Sequence, residues 1–379
     1  MRRVLLVAGL AGCGFTAGTP SDASPDDAAI DTVDAPPDAL RPDGMVGAAR
    51  KKLITIDPAK VFGDLANFPV WIKIANDNDL KVSGTTSGAD VYFTLETGVP
   101  LEFDLVRWNK AQGDLEAWVR IDLDDDNPTR LELRYGDPGP AHAPNGLMTW
   151  SNAFSAVWHM DDPLGGTTTV ADARGQRMGT AVNGPTSIAG KLGRGIAFDG
   201  NNDQVTFTNP IAGNQAHTIS AWVDVVAPAT GFSSVLTVGN AAMSQSRFLH
   251  TKYPNVAIGL FGSDLQPTNT GIDGLGPKLV HWVYDPNGNA GNTTLYIDGV
   301  SVATMNHGGM INTTGTAGYL GYAPQEWGPG GNTPNPLHGT LDEVRIASID
   351  RTHQWIETEF ANQSSPGTFY MIGLEQLIP

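Results

Sequence analysis

Cysteine is almost missing: Cys13 is the single one among 379 residues. An intramolecular disulfide framework and a cysteine-based zinc site are thereby excluded. Positive charge is scarce too, with 23 Lys and Arg against 40 Asp and Glu and a formal net charge of −17, which repels a phosphate backbone over any extended contact. Nucleic acid is not an expected partner. Paired zinc-ligand histidines, a His-Glu-x-x-His motif and a Gly-x-Ser-x-Gly elbow are all lacking, so the common hydrolase signatures fail. What the chain does have is 45 glycines, 26 prolines and 40% hydrophobic residues. That composition suits about two domains built from short strands and turns, and it excludes a wholly disordered chain.

The N-terminus carries an address. Arg2 and Arg3 precede Val4 to Leu10, an apolar stretch too short to cross a bilayer core of about 30 Å, and reads as an export signal. Leu10-Ala11-Gly12-Cys13 resembles the lipobox of bacterial lipoproteins. The resemblance implies a signal peptide over 1–12, cleavage before Cys13 and attachment of membrane lipid to its thiol. Several acyl chains hold where one is marginal. Gly14 rather than Asp follows the cysteine, which favours an outer-membrane or surface location. From Gly14 to Gly44 seven Asp and five Pro stand among Ala, Ser and Thr. Residues 13–48 are therefore expected to form a lipid-anchored, acidic, disordered linker.

From Lys51 the pattern alternates, with Val70, Ile72 and Ile74 on one face of a strand and further strands over Asp90–Leu95, Leu101–Trp108, Leu115–Leu123 and Arg130–Tyr135. Turn residues between them predict a β-sandwich-like domain over 49–148. The ordered blocks Phe68-Pro69-Val70-Trp71-Ile72, Asp90-Val91-Tyr92-Phe93 and Leu133-Arg134-Tyr135-Gly136 are similar to an uncharacterised bacterial envelope β-domain. Its function is unknown.

Residues 149–379 are marked more strongly. Val157-Trp158-His159, Gly195-Ile196-Ala197-Phe198-Asp199-Gly200, Ser220-Ala221-Trp222-Val223, His281-Trp282-Val283 and Leu341-Asp342-Glu343-Val344-Arg345 occur in order, with an Asp298-Gly299 hairpin between two alternating strands. Together they resemble the laminin-G-like branch of the concanavalin A-like jelly rolls. The expected architecture is all-β throughout, with no helix beyond a short turn over His353 to Glu357, and with Trp222 and Trp282 between the two sheets.

Chemistry is harder to place. A retaining glycosidase needs two carboxyl groups about 5–5.5 Å apart. Strict alternation puts Asp342 inward with Val344 and Ile346, and Glu343 outward with Arg345, so the pair cannot flank one bond. No catalytic residue is expected. Asp199 and Asp203 concentrate hard oxygen donors in one turn and are candidate calcium ligands, with an Asx-stabilised turn the plainer expectation; the inward Asp342 is a second, separate metal candidate, with a hydrogen-bonded structural role the plainer expectation. Asp161 and Asp172 lie in loops nearby. Over Gly321 to Pro336, Tyr322, Gln325, Trp327 and Asn332 offer aromatic faces and amides that suit a glycan. The sequence thus predicts a non-catalytic envelope lipoprotein binding carbohydrate or protein ligands. A docking role in an envelope assembly stands second and a glycoside hydrolase third.

Overall fold

The computed structural model describes residues 49–136, 142–226, 231–252, 255–260, 264–288, 292–307, 311–324 and 334–378. All of them belong to one compact unit, Gly47–Pro379. The expected signal peptide, Cys13 and the expected linker over 13–48 lie outside the described residues.

The N-terminal sandwich grows from strand Arg50–Ile56, whose burial alternates along its whole length. It pairs antiparallel with Thr129–Tyr135, which in turn pairs with Tyr92–Leu95. The second sheet is Leu65–Ile74, Asp114–Leu123 and Phe103–Asn109 in that order. Ile54, Leu131 and Phe93 from the first sheet and Val70, Val119 and Phe103 from the second belong to one buried cluster. Phe93 and Phe103 meet edge to face at 5.4 Å. Because neighbouring residues on a strand face opposite ways, the cross-strand row Trp71, Trp118 and Asp104 looks out of this sandwich.

That row does not meet solvent. Trp71 and Trp118 are buried against the second part of the chain, a larger two-sheet sandwich. Its eight-stranded sheet runs Thr186–Ala189, Arg194–Asp199, His338–Ala347, His217–Val225, Lys278–Asp285, Asn292–Ile297 and Val300–Asn306, with Phe154–Trp158 also pairing to His338–Ala347. Its seven-stranded sheet runs Asn255–Gly259, Ser246–Lys252, Phe232–Gly239, Ala317–Leu320, Gln204–Thr208, Gly179–Val182 and Thr169–Val170. Ile219, Ala221, Val223 and Val225 alternate into the core between the sheets, where Leu236, Leu249 and Leu320 meet them from the facing sheet. The Asp298-Gly299 hairpin is as expected: both residues have positive φ, 51° and 82°, joining Ile297 to Val300 across a two-residue turn.

Four expectations change. Trp282 fills the space between the sheets, but Trp222 points out of it, into the cluster shared with the N-terminal sandwich. The short turn at His353 is a 12-residue helix, His353–Ser364, capped by the Thr352 hydroxyl accepting from Trp355 N at 3.2 Å. It hid in the sequence because it has no apolar stripe. Wedged against both sandwiches, it buries polar Thr358, Glu359, Asn362 and Gln363 along with Trp355 and Ile356. A second, six-residue helix, Asn78–Ser83, interrupts the first module, where none was expected. The division at residue 148 is also incomplete, since Tyr370–Ile372 and Gln376–Leu377 return to pair with Arg50–Ile56.

Candidate functional site

The outward face of the eight-stranded sheet is built around a break in alternation. On His217–Val225, Ser220 and Trp222 share a face; their partners across the ladder are Arg345 and Asp342, three residues apart. A β-bulge absorbs the extra residue, and Glu343 takes φ = 50° there. Asp342, Glu343 and Arg345 therefore share the side away from the core. The expectation that Asp342 points inward with Val344 is overturned, because strand alternation holds only without a bulge.

Glu343 and Arg345 sit in a chain of charges between the sandwiches. Arg345 donates Nη2 to Glu343 Oε2 and Nη1 to Glu359 Oε1, both at 2.7 Å. Its guanidinium lies 4.2 Å from the Trp118 ring centre and 4.8 Å from that of Trp150. Beyond it, His159 donates Nδ1 to Glu343 at 3.0 Å and Nε2 to Asp104 at 3.0 Å, and Trp150 Nε1 donates to the same Asp104 oxygen at 2.8 Å. On the other side His281 Nε2 and Gln363 Nε2 donate to Glu359 at 3.2 and 3.0 Å, and the Gln363 oxygen accepts from Trp222 Nε1 at 2.6 Å.

Burial works against the charges of His159, Glu343, Asp104 and Glu359, and their neighbours override it. Desolvation would lower His159, yet Glu343 and Asp104 hold it well above the usual imidazole range. Desolvation would raise Glu343 and Asp104, yet the His159 charge and hydrogen bond, with Arg345 beside Glu343, keep both below the usual carboxylate range. Glu359 is brought down to about 2 against its own desolvation, mainly by His281 and Arg345. An imidazolium donating from both nitrogens has no lone pair with which to act as a base. The arrangement is a joint between modules, with every member committed to a partner.

Asp342 stands apart from it. Its Oδ2 accepts from Leu192 N at 2.7 Å, and Gly190 passes so close that a Cβ there would lie 2.6 Å from the same oxygen. Burial and the nearby Glu343 charge push its carboxyl well above the ordinary value. It lines a recess of about 110 Å³ with Trp222, Asp224, Lys191 and Thr340.

The other predicted residues separate. Asp199 is exposed and accepts from Asn201 N and Nδ2 at 2.8 and 2.9 Å, while buried Asp203 accepts from Asp199 N at 3.0 Å. This is the Asx-stabilised turn. Among the described residues the three carboxylates whose oxygens gather within 4.8 Å are Asp64, Asp124 and Asp125; Asp199, Asp203 and Asp342 form no such group. Asp172 is a structural anchor, accepting backbone N–H groups from Val157, Arg174, Gln176 and Arg177 at 2.7–3.2 Å. Burial raises the half-buried Asp161 carboxyl.

The outward face of the seven-stranded sheet is different. Cross-strand pairing sets Thr169, Thr180, Thr206, Tyr319 and Thr237 in one row, from exposed at the Thr169 edge to buried at Thr237. Tyr322 is half-buried with its ring 6.5 Å from that of Tyr319. Gln325, Trp327 and Asn332 lie outside the described residues. The stem from which their loop departs is tied by reciprocal bonds between Ala323 and Asn335 at 3.2 and 2.9 Å, and Ser234 N donates to Asn335 O at 3.2 Å. Sequence reasoning missed Tyr319, which stands on strand Ala317–Leu320 two residues before Gly321, where the candidate stretch begins.

A profile described as the concanavalin A-like lectin/glucanases superfamily matches residues 199–357. The larger sandwich is a concanavalin A-like jelly roll. Among solved structures, the chain is similar to the botulinum neurotoxin serotype D ligand binding domain in complex with N-acetylneuraminic acid, at 10% identity and a TM-score of 0.44 over 57% of this chain and 53% of that one. It thus spans about half the length of that domain. Domain 4 of AbnA, an extracellular arabinanase from Geobacillus stearothermophilus, in complex with arabinotriose, gives 18% identity and a TM-score of 0.40 over 55% of this chain and 98% of that one. The CBM40 of a Ruminococcus gnavus IT-sialidase, bound to α2,3-sialyllactose, gives 16%, 0.33, 39% and 84% in the same order. No TM-score here reaches 0.5, and no ligand is carried over. No curated protein matches the sequence.

Proposed function

We propose that the jelly roll is a non-catalytic carbohydrate-binding module whose ligand lies on the outward face of the seven-stranded sheet. One observation carries this reading. The jelly roll has two outward faces, and the N-terminal sandwich with helix His353–Ser364 closes that of the eight-stranded sheet. The remaining face offers two tyrosine rings beside a row of threonine hydroxyls, which match the apolar face and the hydroxyls of a sugar ring. Gln325, Trp327 and Asn332, which lie between Tyr322 and Asn335 in sequence, are proposed to extend the site. The paired charges of the buried joint supply cohesion, not catalysis.

The chain is further proposed to be exported and anchored to the envelope through lipid on Cys13, with residues 13–48 as spacer. Loss of labelling by a palmitate analogue on Cys13→Ser tests the anchor. For recognition, the full chain is put on a glycan array and the best ligand measured by calorimetry. Tyr319→Ala and Trp327→Ala are expected to weaken binding about tenfold each, the order of a lost ring contact, with the melting temperature of Tyr319→Ala nearly unchanged. No glycan binding at all, together with stoichiometric capture of one purified envelope protein, would replace this reading with a docking role.

A further inference from the structure

Arg247 is placed where a charge is most costly. It stands two residues before Leu249 on strand Ser246–Lys252 and pairs across with Val238, so its side chain enters the core between the two sheets. It is fully buried. No carboxylate among the described residues pairs with it; Nη2 makes a long bond of 3.4 Å to Gly213 O, and Nε and Nη1 make no hydrogen bond. The guanidinium lies 4.6 Å over the Tyr284 ring.

The facing sheet is equally rich in idle donors. His217 pairs with Tyr284 across the eight-stranded sheet, its ring 5.3 Å from the tyrosine and 4.9 Å from Trp282. Neither ring nitrogen of His217 makes a well-aligned hydrogen bond, nor does Trp282 Nε1, nor the hydroxyl of Thr293 opposite Tyr284. Burial and then the Arg247 charge hold His217 well below the usual imidazole range, against a smaller opposing pull from the Gln215 carbonyl. Burial draws Arg247 down to about 10 against the opposing effect of Tyr284, which leaves it charged at neutral pH.

A buried cation needs a counter-charge. The π face of one tyrosine returns less than the desolvation of an ion removes, and water brings hydrogen bonds without net charge. Idle donors grouped about one unpaired guanidinium are what a small anion requires. We propose that the jelly roll binds a monovalent halide-sized anion between its sheets, held by Arg247 with His217 and the Thr293 hydroxyl. The site is separate from the glycan face and gives the fold a dependence on anions rather than a second activity.

The probe is chloride. The full chain is melted in phosphate-free buffer while chloride replaces gluconate, an anion too large for the core, at constant ionic strength. A saturable rise of about 3–6 °C between zero and saturating chloride is expected. Arg247→Met removes charge and donors while keeping an unbranched chain, and it should melt at or above the chloride-free wild type and no longer respond. Equal melting in the two salts, or a saturable rise retained by Arg247→Met, overturns the proposal. Should Arg247→Met fail to fold, a wild-type crystal soaked in bromide decides: an anomalous peak within about 3.5 Å of the guanidinium supports the site, and none there refutes it.

Discussion

Arg345 and Arg247 are the most deeply buried arginines among the described residues, and they differ in almost everything but burial. Arg345 lies between two indoles and grips two carboxylates, which are themselves bonded to two histidines. Arg247 lies over one phenol ring and reaches one carbonyl. The first belongs to a network that recruits strand Phe103–Asn109 of the N-terminal sandwich, the bulge of the eight-stranded sheet and helix His353–Ser364. The second belongs to the jelly roll alone. A paired buried charge acts here as a registration device between modules, since each partner comes from a different element and only one arrangement satisfies them all.

The sharpest way to break the contrast is Glu343→Gln. It leaves His159 and Arg345 positive, adjacent and buried, and a loss of about 3–5 kcal/mol is expected in denaturant unfolding, whereas Arg247→Met is expected to cost nothing in chloride-free buffer. Trp118→Ala should lose a similar 3–5 kcal/mol, by emptying the indole that both packs on Trp71 at 4.9 Å and stacks on Arg345. A protein in which Glu343→Gln is neutral would have its two sandwiches joined by apolar packing alone.

Protonation probes the same joint more gently. Asp104, Glu343 and Glu359 are held low, so their contribution is present above the unfolded carboxylate values of about 4 and disappears as pH falls through the folded ones, that of Glu359 at about 2. His159 is held high. Its contribution is full below about 6.5 and fades as pH rises through its folded value. Asp342, raised by burial and Glu343, works the other way: its cost to the folded state sets in above about 4 and grows until pH passes its folded value. Stability measured against pH should fall at both ends, and His159→Gln should remove most of the alkaline decline. The smallest effect concerns calcium. If Asp199 and Asp203 serve only their turn, adding calcium should shift melting by less than about 1 °C, whereas a saturable shift lost in Asp203→Asn would make that turn a cation site.

Much of the fold was legible. Period-two alternation located strands such as Arg50–Ile56 and Leu65–Ile74, and Asp298-Gly299 fixed a hairpin by its φ requirement. The joint was not legible, for two physical reasons. Its partners lie far apart in sequence, His159 and Glu343 by 184 residues, and no local pattern announces such a pairing. The bulge at Glu343 has no glycine to signal its positive φ, so alternation assigned Asp342 to the wrong face. Helix His353–Ser364 escaped because helices are read by an apolar stripe, and one enclosed on several sides by polar partners has none.

The pairing of Ile54 with Ile372 has a consequence for how the chain is made. Strand Arg50–Ile56 opens the described unit, yet its outer neighbours, Tyr370–Ile372 and Gln376–Leu377, are made only after the whole jelly roll. The N-terminal sandwich cannot finish until the jelly roll has been made, and contacts that bridge the whole unit make folding slow. Its first sheet keeps an open edge along Arg50–Ile56 until both closing strands arrive.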